Sequence, residues 1–139
     1  MKVYIAGKLC SEEEREFIEK VAELCESLGF QTFVPHRDVG LAETLKDVER
    51  IFKGDIEEGF KGIDLVIAIL NGLHVGAGTA WELGYAYAKG IPCIGIKTDE
   101  PVGEALDYLS SIIIYSVEIV TSFEALKEKL EEFKKKRNK

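Results

Sequence analysis

The sequence contains no apolar run approaching the ~20 residues that a membrane-spanning helix needs. Its first residues, MKVYIAG, enter a strand pattern at once and lack the order of charged, apolar and small residues that marks a signal peptide. We therefore expect a cytoplasmic protein that has no membrane partner.

Cysteines are few, and acidic residues outnumber basic ones. The three cysteines, Cys10, Cys25 and Cys93, are widely spaced, and no CxxC or Cys/His cluster predicts a metal site. No residue cluster implies an organic cofactor either. The net charge of −7 argues against binding to nucleic acid, although a few backbone N–H groups can still hold a small phosphate.

Apolar residues are abundant enough to build a core. They make up 46% of the 139-residue chain, and this length is typical of one domain, so we expect a single domain over residues 1–139. Strand and helix patterns alternate about five times along the chain. This alternation predicts an α/β protein with a parallel sheet covered by helices on both faces.

Strand-like segments occur at residues 2–6, 30–34, 65–70 and 92–97, with a further pair at 112–115 and 117–120 of which one or both continue the sheet. Helical patterns lie between Ser11 and Gly29, at residues 42–62, 79–89 and 103–109, and after Ser122. Ser11 and Glu14 form a capping-box pattern. Gly54 and Gly59 predict a break or bend in the second helical region.

A doubly wound, five-stranded parallel sheet in the flavodoxin-like order 2-1-3-4-5 is the predicted architecture. In that order the switch point lies between the first and third strands, and ligands bind beyond the carboxyl ends of the strands there. The loops that follow these two strands are residues 7–9 and 71–78. We expect the functional site between them.

Glu82 is the leading candidate for chemistry. It lies about four residues past a helix start predicted at Gly78 and Thr79, where the helix dipole favours an anion. We therefore expect an ionised carboxylate that can act as a nucleophile. The neighbouring Trp81 suits a flat heterocycle or a sugar. The competing interpretation is a surface glutamate in an early helical turn.

Two loops supply candidate binding groups. Gly76, Gly78 and Thr79 let the backbone approach a ligand closely, and their N–H groups can hold a phosphate or a sugar hydroxyl. Gly7 and Lys8 follow the first strand, where Lys8 either neutralises a phosphate or is merely exposed. The competing interpretation is that both loops only turn the chain.

Three segments of the sequence, KVYIAGKL, FVPHRD and GIDLVIAILNG followed by GAGTAWELGYAYAKGIPCIGI, resemble the nucleoside 2-deoxyribosyltransferase family. This family includes 2′-deoxynucleoside 5′-monophosphate N-glycosidases. The likeness covers most of the chain, and GTAWELGYA is its specific part. The resemblance implies that Glu82 attacks C1′ of a nucleoside and expels the base. A covalent glycosyl-enzyme then passes its sugar to a second base or to water.

The resemblance also implies roles for two further residues. Tyr4, which by its place in a strand is a core residue, orients the nucleophile. Asp55 contacts the leaving base, although it lies one residue further from Asp64 than the family pattern has it. Family members assemble as dimers or larger, so we expect a homodimer or higher homo-oligomer with Tyr108 and Tyr115 as exposed contacts.

The glycine at position 76 does not decide between the two reactions of the family. At this position, six residues before the glutamate, the family's transferases tend to carry aspartate and its nucleotide glycosidases tend to carry serine. Two reactions therefore remain as alternatives. One is base exchange between nucleosides and free nucleobases, which the segment GTAWELGYA favours, and the other is hydrolysis of nucleoside 5′-monophosphates. A third hypothesis is a non-catalytic nucleotide sensor. The missing acidic residue at position 76 favours it, and the presence of Glu82, Tyr4 and Asp55 argues against it.

Overall fold

A five-stranded, all-parallel sheet in the order β2-β1-β3-β4-β5 runs through the computed structural model, which describes residues 1–138. The strands are β1 (Lys2–Ala6), β2 (Gln31–Phe33), β3 (Leu65–Ile69), β4 (Cys93–Ile96) and β5 (Glu118–Val120). The predicted class and strand order are confirmed. The switch point lies between β1 and β3, which pair in parallel from Val3 opposite Leu65 to Ala6 opposite Ala68.

Helices connect the strands and cover both faces of the sheet. They are α1 (Glu12–Ser27), α2 (Pro35–Asp38), α3 (Val48–Phe52), α4 (Ala77–Ala88), α5 (Ser111–Ser116) and α6 (Phe123–Arg137). A 3₁₀ turn at Leu45–Asp47 precedes α3, a π-helical turn at Lys53–Glu58 follows it, and a second 3₁₀ turn lies at Val102–Glu104. None of the helices within residues 1–138 combines the length and apolarity needed to cross a membrane.

The alternation of side chains along β1 divides the core into two clusters. Val3 and Ile5 pack with α1 and α6 on one face of the sheet. Tyr4 and Ala6 point to the other face, where they pack with α4 and with the π-helical turn. This alternation directs the Tyr4 side chain toward the helix that carries Glu82.

Local capping explains one correct and one wrong prediction. The capping box is present, since the Ser11 hydroxyl accepts the Glu14 N–H at 3.1 Å and the Glu14 carboxylate accepts the Ser11 N–H at 2.9 Å. Residues 112–115, predicted as strand-like, are instead helical in α5. The Ser110 hydroxyl accepts the Ile112 N–H at 3.2 Å and starts the helix despite a β-branched run.

Other helical predictions need adjustment. The predicted helix at residues 103–109 is only the short 3₁₀ turn that ends at Glu104. The break predicted within residues 42–62 is confirmed, because that region divides into a 3₁₀ turn, α3 and the π turn.

Candidate active site

A cavity of about 660 Å³ opens beyond the carboxyl ends of β1 and β3. Its volume falls within the range of small-molecule sites, about 300–1,000 Å³. Of the residues that the sequence singled out, those that line it are Gly7, Lys8, Asp55, Gly76, Gly78, Thr79, Trp81 and Glu82. Tyr4 lies behind this wall and reaches it through Glu82. The structure therefore brings all nine predicted site residues together.

Tyr4, which lies behind the cavity wall, holds the Glu82 carboxyl group in place. The Tyr4 hydroxyl donates a hydrogen bond to Oε2 of Glu82, across 78 positions of sequence. The Tyr4 ring is fully buried and stacks on Phe33, with ring centroids 5.3 Å apart, and on Phe60, at 4.2 Å. Because these contacts fix the tyrosine ring, the hydroxyl holds the carboxyl group in one orientation.

The ionisation of Glu82 differs from the expectation. Helix α4 begins at Ala77 and not at Thr79, so Glu82 lies beyond the first turn, where the helix dipole is weak. Burial raises the pKa of Glu82 to about 7, the charge of Asp55 adds to the rise, and the Tyr4 hydrogen bond opposes it. Glu82 is therefore poised between its two protonation states near neutral pH. Burial and the Glu82 charge also raise the pKa of Tyr4, which keeps its hydroxyl protonated as a donor.

Asp55 faces the same cavity from the π turn. Its Oδ1 atom is buried and has no hydrogen-bond partner within residues 1–138. Burial raises its pKa to about 6, against the opposing charge of Arg50. Asp55 lies within the π turn, whose i→i+5 bonds enclose one more residue than an α turn.

Lys8 occupies the space next to Gly76. A Cβ atom added at Gly76 would lie 2.7 Å from Cγ of Lys8, so the lysine stem fills the place of a side chain at 76. The Lys8 ammonium lies 3.5 Å from the Glu14 carboxylate, and both side chains are partly exposed. Gly7 has a packing reason of its own, because an added Cβ would lie 3.0 Å from Cδ1 of Ile18 on α1.

Thr79 and Trp81 line the cavity in different ways. Thr79 is only 3% exposed and lines the interior of the cavity. Trp81 is half exposed at the mouth, where it stacks on Tyr85 at 5.5 Å and meets the edge of Phe52 at 5.9 Å. The mouth is thus aromatic, while the interior offers a few polar groups.

Sequence reasoning missed the wall opposite α4. The residues it overlooked are Cys10, Pro35, Ala42, Val48, Ile51, Phe52 and Ile56. Val48, Ile51 and Phe52 have the helical spacing of core residues, so periodicity carried no signal that they border a cavity. Tyr108, expected to be exposed, is half-buried and lies against the ammonium of Lys97, whereas Tyr115 is exposed as expected.

The sequence matches the nucleoside 2-deoxyribosyltransferase family over residues 3–138, and the chain belongs to that family. A conserved protein from Enterococcus faecalis V583 is 25% identical in its crystal structure, with a TM-score of 0.70 over 95% of this chain and 98% of that chain. The 2-deoxyribosyltransferase of Bacillus psychrosaccharolyticus is 24% identical, with a TM-score of 0.75 over 91% of this chain and 90% of that one.

A Burkholderia pseudomallei K96243 protein described as pilus assembly-related is 16% identical, with a TM-score of 0.53 over 95% of this chain and 87% of that one. The likeness to this protein and to the Bacillus enzyme establishes a shared fold. A search of curated protein sequences found no match. The family resemblance stated from the sequence is confirmed by the family match.

Proposed function

We propose that this protein transfers a deoxyribosyl or ribosyl group between nucleobases through a covalent intermediate on Glu82. The observation that carries the proposal is the hydrogen bond from buried Tyr4 to the Glu82 carboxyl group at the wall of the cavity. Glycosyl transfer with retention uses one carboxylate as the nucleophile and a second carboxyl group as the acid and base. Glu82 and Asp55 supply two such groups in one cavity.

Each residue has a distinct part in the proposed reaction. Ionised Glu82 attacks C1′ of the bound nucleoside, and Tyr4 keeps the attacking oxygen in line. Asp55 donates its proton to the leaving base, which takes the electron pair of the broken C1′–N bond. In the second half, a different base attacks C1′, Glu82 departs as a carboxylate, and Asp55 recovers a proton from the incoming base.

A chromatographic assay tests this function directly. Purified protein is incubated with a panel of nucleosides and nucleoside 5′-monophosphates, each with and without a second free base. Release of base that depends on the acceptor, with formation of a new nucleoside, supports base exchange. Binding without any turnover would overturn the enzymatic proposal and favour a nucleotide sensor.

Hydrolysis of nucleoside 5′-monophosphates is the second candidate, and the contact between Lys8 and Gly76 favours it. The Lys8 stem lies over Gly76, next to the first turn of α4, whose leading N–H groups have no partners within the helix. An ammonium group and free N–H groups together attract an anion. Water would then release the sugar phosphate from Glu82.

Replacement of Lys8 separates the two candidates. If Lys8 contacts a 5′-phosphate, we expect Lys8→Met to lower kcat/KM for monophosphates about tenfold or more, because a charged hydrogen bond contributes ~1.5–3 kcal/mol. Nucleosides without phosphate should be affected by less than about twofold. Lys61→Met, which removes an ion-paired lysine outside the cavity, is the matched control. Equal losses on both substrates would remove Lys8 from phosphate recognition.

We also propose that a second copy of the chain covers the cavity mouth. Three apolar wall residues, Val48, Phe52 and Trp81, continue onto the surface, where Leu45 is 88% exposed beside them. We expect sedimentation velocity to show a dimer or larger, and Leu45→Asp to shift the population toward monomer because it places a charge in the interface. Leu106→Asp, at another exposed leucine, is the control. A fully active monomer would contradict this arrangement.

A further inference from the structure

A π-helical turn at Lys53–Glu58 interrupts the helical region that precedes β3. Its defining bond runs from the Gly59 N–H to the Gly54 carbonyl at 2.9 Å, five residues back. Such turns are rare, and they occur often at functional sites. Here the turn contains Asp55, whose carboxyl group lines the cavity.

The turn changes which side chains share a face of the helical region. In a regular α-helix, residues five apart point about 140° away from each other. A turn closed by i→i+5 bonds places them nearly above one another. Asp55 and Phe60 are such a pair. Phe60 packs on the Tyr4 ring, with centroids 4.2 Å apart. The negative charge of Asp55 contributes to raising the pKa of both Tyr4 and Glu82.

One segment thus supplies both the ring that supports Tyr4 and the acid that faces the cavity. If this segment were a continuous α-helix, burying Phe60 against Tyr4 would turn Asp55 away from the cavity. Asp55 lines the cavity, and its buried Oδ1 atom has no hydrogen-bond partner among residues 1–138, so no other contact of this atom explains the placement of the carboxyl group.

Gly59 allows the turn to close. A Cβ atom at this position would overlap the carbonyl oxygen of Asp55 and lie 2.7 Å from Cε1 of Phe33. A backbone carbonyl and a packed aromatic ring cannot move aside as the end of a flexible side chain can. Gly59 does not touch the cavity itself, so any effect on the reaction passes through Asp55.

We propose that Gly59 is a positioning residue, which holds the π turn so that Asp55 is directed at the leaving base. This inference rests on the proposed function of Asp55 as the acid of the first step. In that step the proton moves from the Asp55 carboxyl group to a base nitrogen while the C1′–N electron pair leaves with the base. A misdirected Asp55 loses this transfer, and attack by Glu82 is otherwise unchanged.

The test compares two substrates that differ in their need for the acid. An ordinary purine nucleoside requires protonation of its leaving base. A nucleoside whose purine is methylated at N7 carries a cationic base, which departs as a neutral molecule without a proton. Wild type, Gly59→Ala, Asp55→Asn and Gly103→Ala are assayed on both. Gly103 is a glycine in a 3₁₀ turn where an added Cβ meets nothing within 4 Å.

Gly59→Ala should lower kcat on the ordinary nucleoside at least about tenfold and on the N7-methylated nucleoside by less than about threefold, in the pattern of Asp55→Asn. Gly103→Ala should match wild type on both. A loss of equal size on both substrates, or no loss, would overturn the inference. A wild-type protein that turns over neither substrate would instead overturn the proposed function.

Deletion of Glu57 gives a second variant that keeps glycine at 59. Glu57 is exposed, and its removal converts the Gly59 to Gly54 bond from i→i+5 to the i→i+4 bond of an α-helix. Asp55 and Phe60 then lie four positions apart and still share a face of the α-helix, so we expect this deletion to lower kcat on the ordinary nucleoside by less than about threefold. A loss as large as that of Gly59→Ala would overturn the inference. Unfolding of both variants in circular dichroism would overturn the inference, because the turn would then serve the fold and not the orientation of Asp55.

Discussion

Glu82→Gln should lower turnover by about 10⁴-fold or more, equivalent to ~5.4 kcal/mol of transition-state stabilisation. Glutamine keeps the size of the side chain and can still accept the Tyr4 hydrogen bond, but its amide cannot form the glycosyl ester. The loss should appear in kcat and exceed any change in KM, because the substrate site is otherwise intact. Chromatographic rates with saturating nucleoside measure it.

A thermal melt shows whether the Glu82→Gln variant remains folded. Burial raises the pKa of Glu82 from 4.5 to about 7, so the folded protein holds this proton more tightly than the unfolded chain. Stability linked to this group is full below pH 4.5 and is lost as pH rises through about 7. Glutamine does not ionise, so the variant does not lose this stability as the pH rises. The Tm of the variant minus the Tm of wild type should therefore increase from pH 5 to pH 8.

Glu124→Gln, an exposed glutamate of α6, is the control and should retain wild-type activity. Substantial turnover by a folded Glu82→Gln protein would contradict a nucleophilic role for this residue.

Asp55→Asn should lower kcat on an ordinary nucleoside by about 100-fold, because general acid catalysis contributes ~10²–10⁴-fold. The loss should be less than about tenfold on the N7-methylated nucleoside, whose base leaves without a proton. Asp107→Asn, at an exposed aspartate, is the matched control. A uniform loss on both substrates would assign Asp55 to binding and not to proton donation.

The pH profile gives Asp55→Asn a second signature. The pKa of Asp55 is raised to about 6 and that of Glu82 to about 7, so the pair holds a single proton between these values. Attack needs ionised Glu82, and departure of the base needs protonated Asp55, so the active form is the smaller fraction in which the shared proton lies on Asp55. Below pH 6 both groups are protonated and above pH 7 both are ionised, which predicts a narrow bell for wild type.

In Asp55→Asn the alkaline limb of this bell should disappear, because residue 55 has no proton left to lose. The remaining acid limb should report the ionisation of Glu82 alone, at a pKa below about 7, because the charge of Asp55 no longer raises it. An unchanged alkaline limb in the variant would show that another group supplies the proton.

The sheet and the location of the site follow from local signals in the sequence. Alternating strands and helices fix a parallel sheet, and the switch-point rule then places the loops after β1 and β3 at one end. Residues 112–115 show the limit of such signals. Their isoleucine run has high strand propensity, but the Ser110 cap and packing of the neighbouring elements produce a helix.

The chemistry of the site depends on contacts that no local pattern contains. Tyr4 has the spacing of a core residue, and only the family resemblance connected it with Glu82, 78 positions away. The raised pKa of Glu82 comes from burial, which is a property of the folded cavity. Gly54 and Gly59 signalled an irregular helix, but the π turn that directs Asp55 emerges only from packing against Val39 and Phe33.

Mass spectrometry of the protein quenched during turnover tests the central role of Glu82 most directly. A 2′-fluoro-2′-deoxynucleoside with a readily departing base is a suitable substrate, because fluorine destabilises the oxocarbenium-like transition states and slows release of the sugar. We predict a mass increase of one fluorinated glycosyl group, located on the peptide that contains Glu82 and absent from Glu82→Gln. Stoichiometric release of base without an adduct, or with an adduct at another residue, would contradict the account.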